Sequence, residues 1–149
     1  MGIAHEGSQF LKKQIFQYID RHDEDLVDLL CRLIELKLLN LGTQGSGQEG
    51  AAQQWLAKRL KEIVFGKVDS WAVDEKGIRP NVVATINGVG GGNSLIYNGH
   101  MDVVPVHDYQ RNRWTVDPWK ATVKDHMVYG RGAGDMLAGL ALMVWEGNR

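Results

Sequence analysis

Asn98-Gly99-His100-Met101-Asp102-Val103-Val104-Pro105 is the stretch that decides the fold, read with Gly130-Arg131-Gly132-Ala133-Gly134-Asp135-Met136. The first follows a short apolar run, Ser94-Leu95-Ile96-Tyr97-Asn98, which reads as a strand buried on both faces. It delivers a His-x-Asp at the C-terminal end of that strand. In extended chain, positions i and i+2 project to the same side. Asp102 can therefore reach one ring nitrogen of His100 and leave the other free. A carboxylate so placed fixes the imidazole tautomer, as it does behind many zinc-bound histidines. In the second stretch the glycines permit close backbone packing. Asp135 stands at the start of an apolar helix carrying Met136, Leu137, Leu140, Ala141, Met143 and Val144. Amides at a helix start favour a carboxylate. Taken singly, the His-x-Asp reads as a surface ion pair and Asp135 as a helix N-cap. Together they point to a metal site.

The segments on either side imply an α/β chain. Helices are expected over Phe10–Asp20 and Glu24–Leu39. In the second, Leu26, Leu29, Leu30, Leu33, Ile34 and Leu38 repeat at the spacing of a one-faced helix, and Asp23 is the expected N-cap. Asn40–Gly47 reads as a loop. Ser46-Gly47-Gln48-Glu49 is a capping-box signature, opening a helix with Ala52, Trp55, Leu56, Leu60, Ile63 and Val64 on one face. The period then changes. Val68–Val73 and Asn81–Asn87 read as strands, the second alternating Val82, Ala84 and Ile86. Gly88–Asn93 is a glycine-rich link, expected to join Asn81–Asn87 and Ser94–Asn98 in an antiparallel hairpin. Residues 99–119 look irregular. Ala121–Val123 and His126–Tyr129 are expected to be short strands.

Composition narrows the function. The chain has 149 residues, 17 Lys and Arg against 18 Asp and Glu, and a formal net charge of −1. That balance lacks the basic field that nucleic acids or an anionic membrane surface require. One cysteine, Cys31, excludes an internal disulfide and a Cys-rich zinc module; at a helical position near the apolar stripe it reads as packed. The apolar stretch Met136–Trp145 is half the roughly 20 residues of a membrane span, and the start shows no signal-peptide pattern. The expectation is a cytoplasmic protein without nucleic-acid or membrane partners. Gly130–Asp135 is G-x-G-x-G followed by Asp, where a dinucleotide fingerprint needs Gly or Ala. A carboxylate there repels phosphate. His5, His22, His107 and His126 read as surface or loop residues.

The run Ser94–Val104, then Trp114-Thr115-Val116-Asp117-Pro118-Trp119, then Val128–Met136, resembles the zinc metallopeptidase and amidohydrolase family of acetylornithine deacetylase, succinyl-diaminopimelate desuccinylase, aminoacylase and glutamate carboxypeptidase. Arg79–Ala84 and Gly47–Ala51 look like the same family, and the likeness covers roughly residues 20–145. The resemblance implies the N-terminal portion of an α/β/α zinc-exopeptidase-like catalytic domain with a mixed sheet. It implies that His100 is a zinc ligand, that Asp102 orients it, and that Asp135 bridges two zinc ions, with Co2+ or Mn2+ able to substitute. It implies a two-metal hydrolysis of amide bonds in N-acyl amino acids or short peptides.

The family also carries, after the bridging Asp, a Glu-Glu pair that supplies a general base and a ligand, and later a further acidic ligand and a His. Residues 136–149 hold none of these, and Glu146 stands alone. Leu137 stands where many members have Lys, and His126 follows Asp125 where Gly is common. A turn there needs φ > 0, which His tolerates less well. The expectation is that residues 1–149 are an N-terminal fragment of the catalytic domain, without the lid or dimerisation domain and the later catalytic portion, and inactive alone. The alternative is a non-catalytic homologue acting as an interaction module. Apolar surface left on the final helix is expected to favour homo-oligomers.

Overall fold

The computed structural model describes residues 2–39, 49–63, 66–73, 75 and 79–147, with side chains from residue 8 onward in the first helix and from residue 50 in the second. Helix α1 spans Gly2–Glu35, α2 Glu49–Ile63, strand β1 Lys67–Ala72 and β2 Pro80–Thr85. A short α3, Asp108–Arg111, follows, then β3 (Thr122–Lys124), β4 (Met127–Tyr129), a π-helical turn over Ala133–Leu137 and α4 (Ala138–Glu146).

The two expected N-terminal helices run on as one, kinked where His22 leaves helical geometry (φ −131°, ψ 16°). The break falls one residue before the expected cap at Asp23. Asp23 accepts a hydrogen bond from the adjacent Glu24 amide, and His22 pairs with Asp25 at 3.4 Å and stacks on Tyr18. At its other end α1 stops at Glu35, four residues short of expectation. Lys37 turns left-handed (φ 53°), which closes the helix and frees Leu38 and Leu39 from it. Leu38 is buried, and Leu39 forms a parallel bridge with Val103. The Val103 amide donates to the Leu38 carbonyl at 2.6 Å.

The core is the apolar stripe of α1 (Leu30, Leu33, Ile34) and Leu38, packed against Ala52, Leu56, Leu60 and Ile63 of α2, Met101 and Val103, and Leu137, Leu140, Ala141 and Val144 at the start of and within α4. Each Leu, Ile, Val or Met side chain among them, fully buried, contributes about 1.5–3 kcal/mol. Trp55 lies half-buried against this core, as do Val82 and Ala84 of β2. The proposed capping box at Ser46–Glu49 and the stripe residue Val64 lie outside the described residues and side chains.

One sheet expectation fails. Ser94–Asn98 does not pair with residues 81–87. Strand β2 pairs antiparallel with β1 instead, Asp69 opposite Val83 and Ser70 opposite Val82. Leu95, Ile96 and Tyr97 stand exposed, with no ladder among the described residues. The Gly88–Gly92 link, with Gly90 and Gly91 at positive φ, leads away from β2 rather than folding back on it. Strand β2 has the alternating half-buried face that a solvated antiparallel ribbon needs, whereas the unbroken apolar run has a need for cover on both faces. The expected short strands do form an antiparallel hairpin, Thr122 opposite Tyr129. Asp125 and His126 make its turn with φ of 51° and 60°, the double positive φ of a type I′ turn.

Candidate metal centre

Burial alternates along the stretch that follows the exposed run. Met101 and Val103 are buried, whereas His100 and Asp102 are not. The core takes the odd residues, so the even pair is left on the outer face. The Val103–Leu38 hydrogen bond anchors this register to the end of α1.

Asp135 is placed by a different device. Gly130 packs so closely on Ile34 that a Cβ there would stand 2.6 Å from its Cγ2. Gly132 has φ 83°, and its would-be Cβ runs into Val103 and Leu137. Both positions therefore require glycine. The Leu137 amide bonds to the Gly132 carbonyl at 2.9 Å, closing a wide i→i+5 turn around Asp135. Turns of this type are frequent at functional sites. Asp135 itself is non-helical (φ −140°, ψ 99°), and the N-cap of α4 is Leu137. The reading of Asp135 as a helix cap is thus corrected: the wide turn holds its carboxylate before the helix begins. Ile34, Leu38 and Leu39, at the C-terminal end of α1, support both site segments.

The three residues singled out in the sequence come together. His100 Nε2 is 3.4 Å from Asp135 Oδ1. His100 Nδ1 is 3.4 Å from Asp102 Oδ1 and 3.1 Å from the Asp102 carbonyl oxygen. Two acceptors thus face Nδ1 and one faces Nε2; in the tautomer that carries its proton on Nδ1, the Nε2 lone pair is turned toward a carboxylate. Two electron-rich groups facing each other invite a cation between them. Zn–N of 2.0–2.1 Å and Zn–O of 2.0–2.2 Å at the tetrahedral angle separate two ligand atoms by about 3.4 Å. The His100–Asp135 spacing matches that edge. The side chains of His100, Asp102 and Asp135 are 49%, 36% and 88% exposed. Ion pairs this open contribute at most about 1 kcal/mol to stability.

Among the described residues no group of three or more His, Cys, Asp or Glu side chains is arranged to enclose an ion. Two groups flank His100 rather than converging with it on one point. The Met136 sulfur lies 3.5 Å from the His100 amide and covers Gly99; neither motif reading drew attention to this apolar lid. Glu146 accepts a hydrogen bond from the Tyr97 phenol, which together with desolvation and the carboxylate's charge raises that phenol above its ordinary range. His107 and His126 are exposed, and the His5 side chain lies outside those described. Cys31 is half-buried; burial, then Asp28 and Glu35, push its thiol up, away from a reactive thiolate. A cavity of about 350 Å³ lies away from this centre, lined by residues of α1, α2 and α4 that include Asp28, Arg32, Trp55 and Trp145.

Residues 96–145 match the family model of Peptidase family M20/M25/M40. That stretch resembles this family, as its motifs implied. The chain is 35% identical over 121 residues to succinyl-diaminopimelate desuccinylase 2 of Ruegeria sp. (strain TM1040), covering 81% of this chain and 28% of the relative. It is 33% identical over 129 residues to the N-formyl-4-amino-5-aminomethyl-2-methylpyrimidine deformylase of Bacillus subtilis (strain 168), covering 85% of this chain and 28% of the relative. The chain thus spans about a quarter to a third of the length of these relatives. The crystal structure of human carnosine dipeptidase 1 superposes with a TM-score of 0.79 at 22% identity, over 91% of this chain and 30% of that one. The fold is therefore shared with about 30% of that structure, in keeping with the partial α/β domain that the resemblance implied.

Proposed function

We propose that residues 1–149 form the N-terminal part of the catalytic domain of a metal-dependent hydrolase. Its substrates are small molecules, the amides of N-acyl amino acids or short peptides. The observation that carries this reading is His100 held between two carboxylates, with Nε2 and Asp135 Oδ1 one ligand edge apart. The names of the two relatives support the substrate class, since one removes a succinyl group and the other a formyl group.

In this reading His100 Nε2 and the Asp135 carboxylate hold a zinc ion. Asp102 and its own carbonyl hold the Nδ1 proton, so that the ring presents a lone pair. A divalent ion at this position supplies Lewis acidity toward an amide carbonyl and lowers the pKa of water. Met136 keeps apolar cover over Gly99 beside the ligand. A catalytic zinc takes three protein ligands and an open position, and hydrolysis needs a general base. These remaining groups lie, in the same proposal, outside residues 1–149. No helix among the described residues is long and apolar enough to cross a membrane, and a thiol left unpaired at Cys31 suits a cytoplasmic setting.

The test is a zinc titration of the purified chain beside His100→Ala, because two ligands hold an ion more weakly than a complete set. Weak binding by the wild type that His100→Ala abolishes is expected. Equal binding by both, or no binding by the wild type in the titration, overturns the reading.

A further inference from the structure

The turn that carries Asp135 is fixed by glycine packing on one side, at Ile34, Val103 and Leu137. On the other side it is fixed by Arg131. The Arg131 amide donates to the Pro118 carbonyl at 2.7 Å, and its guanidinium carbon lies 5.2 Å from the centre of the Trp114 ring. Pro118 is buried. Asp117 holds the loop between the two tryptophans, accepting from the Trp119 amide at 2.9 Å while its carbonyl takes the Lys120 amide at 3.2 Å. The Arg131 Nε is buried and meets no hydrogen-bond acceptor among the described residues. The Nε is shielded while the half-buried guanidinium lies over the ring face, within the reach of a cation–π contact.

We infer that Arg131, stacked on Trp114, is a positioning residue that clamps the Gly130–Leu137 turn and so sets the Asp135 carboxylate against His100. This rests on the proposed metal centre for its consequence, and on the loop contacts for its mechanism. Arg131 touches neither the ion nor substrate. It acts through the backbone four residues before Asp135. Orienting groups of this kind change metal affinity by roughly 10–100-fold when removed.

The test uses the whole chain with Arg131→Met, Trp114→Ala, Trp114→Phe and His100→Ala. Two readouts are taken: hydrogen exchange of the Leu137 amide in metal-free protein, and zinc affinity by competition with a chromophoric chelator. Arg131→Met and Trp114→Ala should speed Leu137 exchange roughly tenfold while the Ile34 amide in α1 keeps its protection. Both should weaken zinc binding by roughly 10–100-fold. Trp114→Phe, which keeps a ring face, should rescue both readouts. Unchanged Leu137 exchange in Arg131→Met overturns the clamp. Equal acceleration at Leu137 and Ile34 also overturns it, because that marks general destabilisation. If the wild type and His100→Ala bind zinc alike, the metal reading fails, and the exchange data alone decide the clamp.

Discussion

Leu33 and Ile34 on α1 and Leu95 and Ile96 before the His-x-Asp are equally apolar, and they meet opposite fates. The first two are 1% exposed; the second two are 75% and 85% exposed. Both runs are apolar enough to be core. What separates them is whether this chain brings something to lay against them. The α1 stripe has α2, Met101, Val103 and α4 over it. The 94–98 run has a phenol-to-carboxylate hydrogen bond from Tyr97 to Glu146 and no ladder among the described residues. Apolarity specifies that a segment seeks cover, and the rest of the chain decides whether it finds any.

Substitutions sharpen this contrast. Leu33→Ala should cost about 2–5 kcal/mol in denaturant unfolding, since it opens a cavity in a closed core. A cost under about 1 kcal/mol would mean that the α1 stripe is less well packed than described. Gly132→Ala combines a left-handed backbone, about 1–2 kcal/mol, with a methyl forced onto Val103 and Leu137. A loss of about 2–4 kcal/mol is expected, with zinc binding falling alongside. His126→Gly should stabilise by about 0.5–1 kcal/mol, because glycine adopts the positive φ of that turn freely; a lower melting temperature would refute the type I′ geometry. Ile96→Ser should change stability by no more than about 0.5 kcal/mol and should reduce self-association measured by sedimentation. A large loss of stability there would show that the run is covered after all.

The same contrast explains what could be read in advance. His100, Asp102 and Asp135 could be singled out from one alternation, one glycine-rich motif and the family resemblance, and they do lie side by side; their role as a metal site is the proposal. The positive φ at Asp125–His126 followed from the comparison with a family glycine, although His126 itself was expected in the strand rather than in the turn. The pairing of β2 was not, because a glycine-rich link permits a hairpin without requiring one. The end of α1 was missed because Leu38 and Leu39 continue the helical period while serving the core from an extended backbone. The kink at His22 needed the stacking on Tyr18 and the pairing with Asp25 to be seen. The Arg131–Trp114 contact joins residues 17 positions apart through a loop with no periodicity, so no pattern announces it.

The bridge between Leu39 and Val103 closes a segment of 64 residues. Loop closure of that length carries an entropic cost of about 4 kcal/mol beyond a constant. The local hairpins and helices form without meeting it. Docking of the His100 segment is then expected late in folding, after α1 has offered its C-terminal edge. Val103→Ala should accordingly speed unfolding and leave the folding rate nearly unchanged.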